Sequence, residues 1–151
     1  MKYIFFTILF FMNIPSCLSQ EVHPSLSVIL QDRLFADLTL NVGNSDTGGS
    51  DYSGNSSDID IVFTGVFAGF ETDFIDTYAP KVGVEVSLLI ITTRFSVISY
   101  FQNGNVTIRG LPEIGIGIIN KATISYGYGF SPHKNNLKNV SNHRLKLTVF
   151  L

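Results

Sequence analysis

The chain has no tryptophan and a single cysteine, Cys17, in 151 residues. An internal disulfide framework is therefore excluded as a source of stability. Charge is also scarce: 15% of residues are charged against 45% hydrophobic, and mean hydropathy is +0.28. Yet no stretch beyond the N-terminal block reaches the ~18 consecutive apolar residues of a membrane helix. Helical periodicity is missing after residue 20, as is any repeat at a solenoid period. An apolar chain without a spanning helix has two places for its surface, a two-sided core or a closed barrel in a membrane. The length leaves no room for two ordinary domains.

What the sequence does have begins with a targeting segment. Lys2 supplies positive charge, Tyr3 to Ile14 is an apolar block, and Cys17 and Ser19 are small residues at −3 and −1 of a cut before Gln20. These are the parts of a secretory signal. Residues 1–19 are expected to be the signal peptide and 20–151 the barrel. The rival route is lipoprotein cleavage before Cys17, which Pro15 at −2 fits poorly. Charge is unevenly placed: Gln20–Pro80 holds ten acids against Arg33, and Lys81 onward holds eight bases against Glu85 and Glu113. The bases are spread singly through apolar strands, not gathered in a tail, so a nucleic-acid partner is not expected.

Period two dominates the second half. Val82, Val84, Val86, Leu88 and Ile90 share one face against Lys81, Gly83, Glu85 and Ser87. The pattern recurs in Val106–Ile118, Ala122–Phe130 and His143–Leu151, where Phe150 is the exception, and in Leu34–Gly43. Eight strands are predicted: 24–30, 34–43, 58–69, 80–90, 93–102, 106–118, 122–130 and 143–151. Thr92-Thr93, Asn103-Gly104-Asn105 and Asn120-Lys121 read as tight hairpin breaks. Asn44–Asp58, rich in Gly, Ser, Asn and Asp, reads as a mobile loop, and Phe70–Ala79 as another loop. The fold class expected is all-β: an up-and-down antiparallel transmembrane β-barrel of eight strands.

The polar face decides which side is inside. It is largely Gly, Ser and Thr with widely spaced charges, which suits the crowded interior of a narrow barrel. The apolar face carries no charge in these strands, as a lipid-facing surface requires. Asp37, Lys81, Glu85, Arg94, Arg109, Glu113, Arg144 and Lys146 are then expected in the lumen as a salt-bridge network, because buried charge is tolerated only when paired. A packed eight-stranded interior leaves no water channel, so a porin-like pore is the weaker reading. Tyr126, Tyr128 and Phe130 are expected as interfacial aromatics.

Three short motifs add a resemblance. Tyr78-Ala79-Pro80-Lys81-Val82-Gly83, Leu111-Pro112-Glu113-Ile114-Gly115 and Ser125-Tyr126-Gly127-Tyr128 occur in that order, and His143-Arg144 opens the last strand. In this the chain resembles small, uncharacterised outer-membrane barrel proteins of Bacteroidetes-type bacteria, over about its last half. At the level of architecture it is similar to outer-membrane protein A-type and X-type barrels. The resemblance implies an outer-membrane location and brings no catalytic residues.

Other sites are weaker. His133 and His143, with Ser131 and Ser141, lie near one loop, but no acid completes a nucleophile–base–orienter set. Asn44, Asp46, Asp51, Asp58 and Asp60 lack the spacing of a calcium loop. No cofactor is expected. The leading expectation is a non-enzymatic, monomeric barrel serving envelope integrity or surface contact. Its partners would be outer-membrane lipid and, during insertion, the barrel-assembly machinery. The alternatives are an exported lipocalin-like barrel binding an apolar ligand, and a membrane-embedded lipid hydrolase or acyltransferase. If the C-terminus is periplasmic, counting strands back puts Asn44–Ser57 on the periplasmic side, unless strands in 20–79 are miscounted.

Overall fold

The computed structural model describes residues 21–47, 60–119, 121–131 and 137–151. Eight strands follow one another: β1 Glu21–Leu30, β2 Leu34–Thr47, β3 Asp60–Thr72, β4 Thr77–Leu88, β5 Ile91–Gln102, β6 Asn105–Ile118, β7 Ala122–Tyr128 and β8 His143–Phe150. Each pairs antiparallel with the next, and β8 pairs back with β1 from Ser25↔Phe150 to Leu30↔Leu145. The sheet is a closed barrel, so it has no free edge to template aggregation. The predicted strand count and up-and-down order hold; the predicted signal segment 1–19 lies outside the described residues.

β1 begins and β8 ends at one end, the terminal end, where the β4–β5 turn lies and where β2 and β6 finish. The β1–β2, β3–β4 and β5–β6 turns lie at the other, the far end, where β7 finishes and β8 begins. The segment after Thr47 therefore leaves from the terminal end, as the strand count implies.

Several boundaries differ from expectation, each for a local reason. The β4–β5 turn is Leu89-Ile90 and not Thr92-Thr93. Inside the barrel Ser87 Oγ and Thr92 Oγ1 share a hydrogen bond of 2.9 Å, and Thr93 Oγ1 donates to the Val86 carbonyl at 3.1 Å. These contacts keep both threonines in the ladder and leave two apolar residues to turn, with Leu89 at φ 53°. The Phe70–Ala79 loop shrinks to Asp73–Asp76, because Asp73 Oδ1 accepts the backbone N–H groups of Ile75, Asp76 and Thr77 at 2.9 to 3.1 Å. β2 extends to Thr47, so Asn44–Thr47 is strand and not loop. The Asn103-Gly104 hairpin is as predicted, with φ 49° and 81°.

Strand β3 does not alternate cleanly between apolar and polar residues. Its outward residues include Val62, Val66 and Phe70, yet Phe63 and Phe67 point inward and are 1% and 4% exposed. Glycines make room for those rings: a Cβ at Gly83 would stand 2.6 Å from Phe67 Cζ, and one at Gly43 2.7 Å from Phe63 Cζ. Over the middle of the other strands the inward face is mostly Ser, Thr, Gly and charge, and the outward face is aliphatic and aromatic. An apolar cluster inside lies towards the far end: Ile29, Phe35, Ala79, Ile98, Tyr100, Leu111 and Val140, with Leu137 against it.

Candidate functional site

The middle of the lumen is a run of ion pairs. Asp37 Oδ2 lies 2.7 Å from both Lys146 Nζ and Lys81 Nζ. Lys81 Nζ reaches Glu71 Oε1 at 2.8 Å. Arg144 holds Glu71 in a two-point fork, Nη2 to Oε1 at 2.8 Å and Nη1 to Oε2 at 3.0 Å, and its Nε donates to Glu113 Oε1 at 3.1 Å. Six side chains from β2, β3, β4, β6 and β8 thus form one chain of contacts across the barrel. Each is at most 5% exposed. Burying such charges costs several kcal/mol per ion, and only good geometry with further hydrogen bonds offsets it. Thr39 Oγ1 supplies one such bond to Asp37 Oδ1, at 2.9 Å. At Gly69 a Cβ would meet Lys81 Cε at 3.1 Å, so the missing side chain lets that lysine cross the lumen.

Glu85 and Arg94 form a second pair, 2.7 Å apart. The Arg94 guanidinium lies over the rings of Phe67 and Phe150, 5.5 and 5.8 Å from their centroids. Its Nε and Nη2 lack a hydrogen bond of good angle, as does Glu85 Oε2.

Seven of the eight predicted lumen charges sit in these two groups. Glu71 completes them and was not predicted, since it fell in the supposed 70–79 loop. A signal for it existed: the predicted set held five bases and three acids, an imbalance that a dry lumen does not tolerate. With Glu71, four carboxylates face Lys81, Arg94, Arg144 and Lys146 among the described residues.

Arg109 is the eighth. It is lumenal and 2% exposed, but it meets no carboxylate among the described residues. Its Nη1 donates to the Ser141 carbonyl at 2.7 Å and its Nη2 to the Val140 carbonyl at 3.1 Å, with the guanidinium 5.3 Å from the Tyr100 ring centroid. These contacts belong to a clasp at the far mouth. Gln102 takes both main-chain groups of Lys138, accepting from its N–H at 2.7 Å and donating to its carbonyl at 2.9 Å. With its amide oxygen turned to Arg33, Asn139 accepts from Nη2 at 2.7 Å and Nε at 3.2 Å. Arg33 also reaches Asp73 at 3.2 Å and Asp76 at 3.4 Å. Burial would raise the Asp73 pKa, but the three backbone N–H donors and Arg33 outweigh it and hold the carboxyl down to about 2.

Outside, Tyr126, Tyr128 and Phe130 face outward near the far end, each about half exposed. The Phe130 ring covers Gly110, whose Cβ would lie 2.6 Å from Cζ. Phe70, Tyr78 and Phe101 stack on the same end, with centroids 6.4 and 5.1 Å apart. The His143 ring bonds the Tyr126 hydroxyl, while Ser141 Oγ accepts the His143 backbone N–H. Ser131 Oγ donates to the Ile108 carbonyl. Among the described residues the His143 ring bonds the Tyr126 hydroxyl and no serine hydroxyl; His133 lies outside the described residues, as do Asp51 and Asp58. No group of three His, Cys, Asp or Glu converges as metal ligands among the described residues.

Comparison with protein-family models, characterised proteins and solved structures finds no match for this chain.

Proposed function

We propose that the chain is an integral outer-membrane barrel with a filled, non-conducting lumen, serving envelope structure or surface contact and lacking catalysis. One observation carries this reading. The described outward side chains of all eight strands include no Asp, Glu, Lys or Arg, while Asp37, Glu71, Lys81, Glu85, Arg94, Glu113, Arg144 and Lys146 turn inward and pair. A soluble barrel has the opposite need, with charge in water and apolar groups inside. On β4 the outward run is Tyr78, Pro80, Val82, Val84, Val86 and Leu88. At about 3.3 Å per residue and a tilt near 40°, it spans about 25 Å, the height of an outer-membrane apolar band. The aromatics at the far end suit one boundary of that band. A lumenal charge moved to the outer face would cost about 2–4 kcal/mol at mid-bilayer, so the present arrangement is the favourable one only in lipid.

The signal-like N-terminus and the short motifs shared with small Bacteroidetes-type barrels support the same location. Barrel-assembly machinery and outer-membrane lipid are its expected partners, and a monomer its expected state. With the termini in the periplasm, the far mouth opens at the cell surface. Ion pairs block the lumen at its middle, which argues against a pore. Cell fractionation tests the proposal. Recovery from the membrane fraction only with detergent, and heat-modifiable migration on a gel, are expected. Recovery from the soluble periplasmic fraction would overturn it.

A further inference from the structure

The far mouth holds an arrangement that barrel closure does not require. Residues 137–141 dip into it and are held by their main chain. Gln102 takes the N–H and carbonyl of Lys138, and Arg109 takes the carbonyls of Val140 and Ser141. Only two side chains of the segment are used as apolar contacts, Leu137 and Val140, and they enter the cluster of Ile29, Phe35, Ala79, Ile98, Tyr100 and Leu111. Side-chain amides and guanidinia that grip a main chain, beside small apolar pockets, are the means by which a receptor holds a peptide of loose sequence.

Arg109 says which end of a peptide fits best. It is buried, and its Nε has no hydrogen-bond partner. Asp32, on the exposed β1–β2 turn, acts on it only across a distance, without a direct contact among the described residues. Its two present acceptors are neutral carbonyls of adjacent residues, so no carboxylate touches it among the described residues, whereas Lys81, Arg94, Arg144 and Lys146 below it each touch one. A terminal carboxylate would set two charged oxygens on the same two donors, and bonds of that kind are roughly twice as strong as those to neutral acceptors.

We propose that the far mouth is a binding site for the C-terminus of a peptide ending in an aliphatic residue. The terminal carboxylate binds Arg109, the last side chain takes the place of Val140, and the main chain two residues earlier pairs with Gln102. Residues 137–141 occupy the site as a built-in competitor. This does not rest on the membrane reading, which fractionation decides separately.

The test uses the purified full-length mature barrel, in a maltoside detergent if detergent is needed. The probe is the tetrapeptide Leu-Lys-Asn-Val with a free carboxylate, compared with its C-terminal amide by calorimetry. Val140→Gly empties the pocket and should bind the free acid at least about tenfold more tightly than the amide. The wild type should show the same preference at higher peptide concentration, because its own segment competes; this covers a Val140→Gly that fails to fold. Arg109→Gln, with heat-modifiable migration unchanged, should lose the preference. Should that variant not fold, Gln102→Ala should weaken both peptides while the preference for the acid remains. Equal binding of acid and amide, no binding of either, or a preference that survives Arg109→Gln would overturn the proposal. Binding of 3-methylbutanoate as tight as that of the tetrapeptide would overturn the assignment to a peptide.

Discussion

The middle of the lumen and its far mouth use the same residue types for opposite ends. In the middle, Arg144 forks onto Glu71 and Lys81 bridges two acids, so charge meets charge between strands. At the mouth, Arg109 and Gln102 meet main-chain groups of a connecting segment. Removing a partner in the middle leaves a buried ion with nothing to bind. Removing Gln102 at the mouth leaves the main-chain groups of Lys138, an exposed residue that water at the rim can reach. The middle fixes the shape of the barrel, whereas the mouth holds a segment on contacts that another chain could make.

The largest test of that difference is Arg144→Met. It strips the fork from Glu71 and the Nε bond from Glu113, both buried. Stability should fall by about 3–5 kcal/mol, read as the midpoint of urea unfolding. A loss below about 1 kcal/mol would mean that water reaches the network. Gly83→Val comes next. Its Cβ would stand 2.4 Å from the Phe95 carbonyl and 2.6 Å from Phe67, so about 1–3 kcal/mol of overpacking is expected in the same unfolding measurement. At the mouth, Gln102→Ala should cost only about 1 kcal/mol, and the loss should be local. Amide exchange at Lys138 should speed up while the strand centres stay protected. If the strand centres exchange faster as well, the mouth is part of the frame and the comparison fails.

The smallest effect is acid loosening of the β3–β4 turn. Asp73 has its pKa depressed to about 2 in the folded barrel against an ordinary 3.8. A depressed carboxylate contributes stability that is present above its unfolded pKa and lost as pH falls through its folded one. Amide exchange at Ile75, Asp76 and Thr77, corrected for its intrinsic pH dependence, should therefore rise between about pH 4 and pH 2. In Asp73→Asn that rise should be absent.

Much of the frame was legible in the sequence, because strands with one apolar and one polar face announce themselves. β4, β6, β7 and β8 did so, as did the Asn103-Gly104 turn. β3 did not, since Phe63 and Phe67 put apolar bulk on the inner face and Gly43 and Gly83 that accommodate it lie on other strands. The Leu89-Ile90 turn carries no turn residue at all; a hydrogen bond inside the barrel, Ser87 to Thr92, defines it. Glu71 was hidden by the supposed loop around it. Arg109 could be assigned to the lumen from its period, but its grip on residues 140–141 depends on how a connecting segment folds back, which alternation does not encode.

The central claim is that the charge-free exterior lies in lipid. It is tested most directly by attaching a fluorophore at Val84→Cys on the outer face, and separately at Ser96→Cys in the lumen, in vesicles containing brominated lipid. The account predicts strong quenching at position 84 and little at position 96. Equal, weak quenching at both, with the protein recovered free of vesicles, would contradict it.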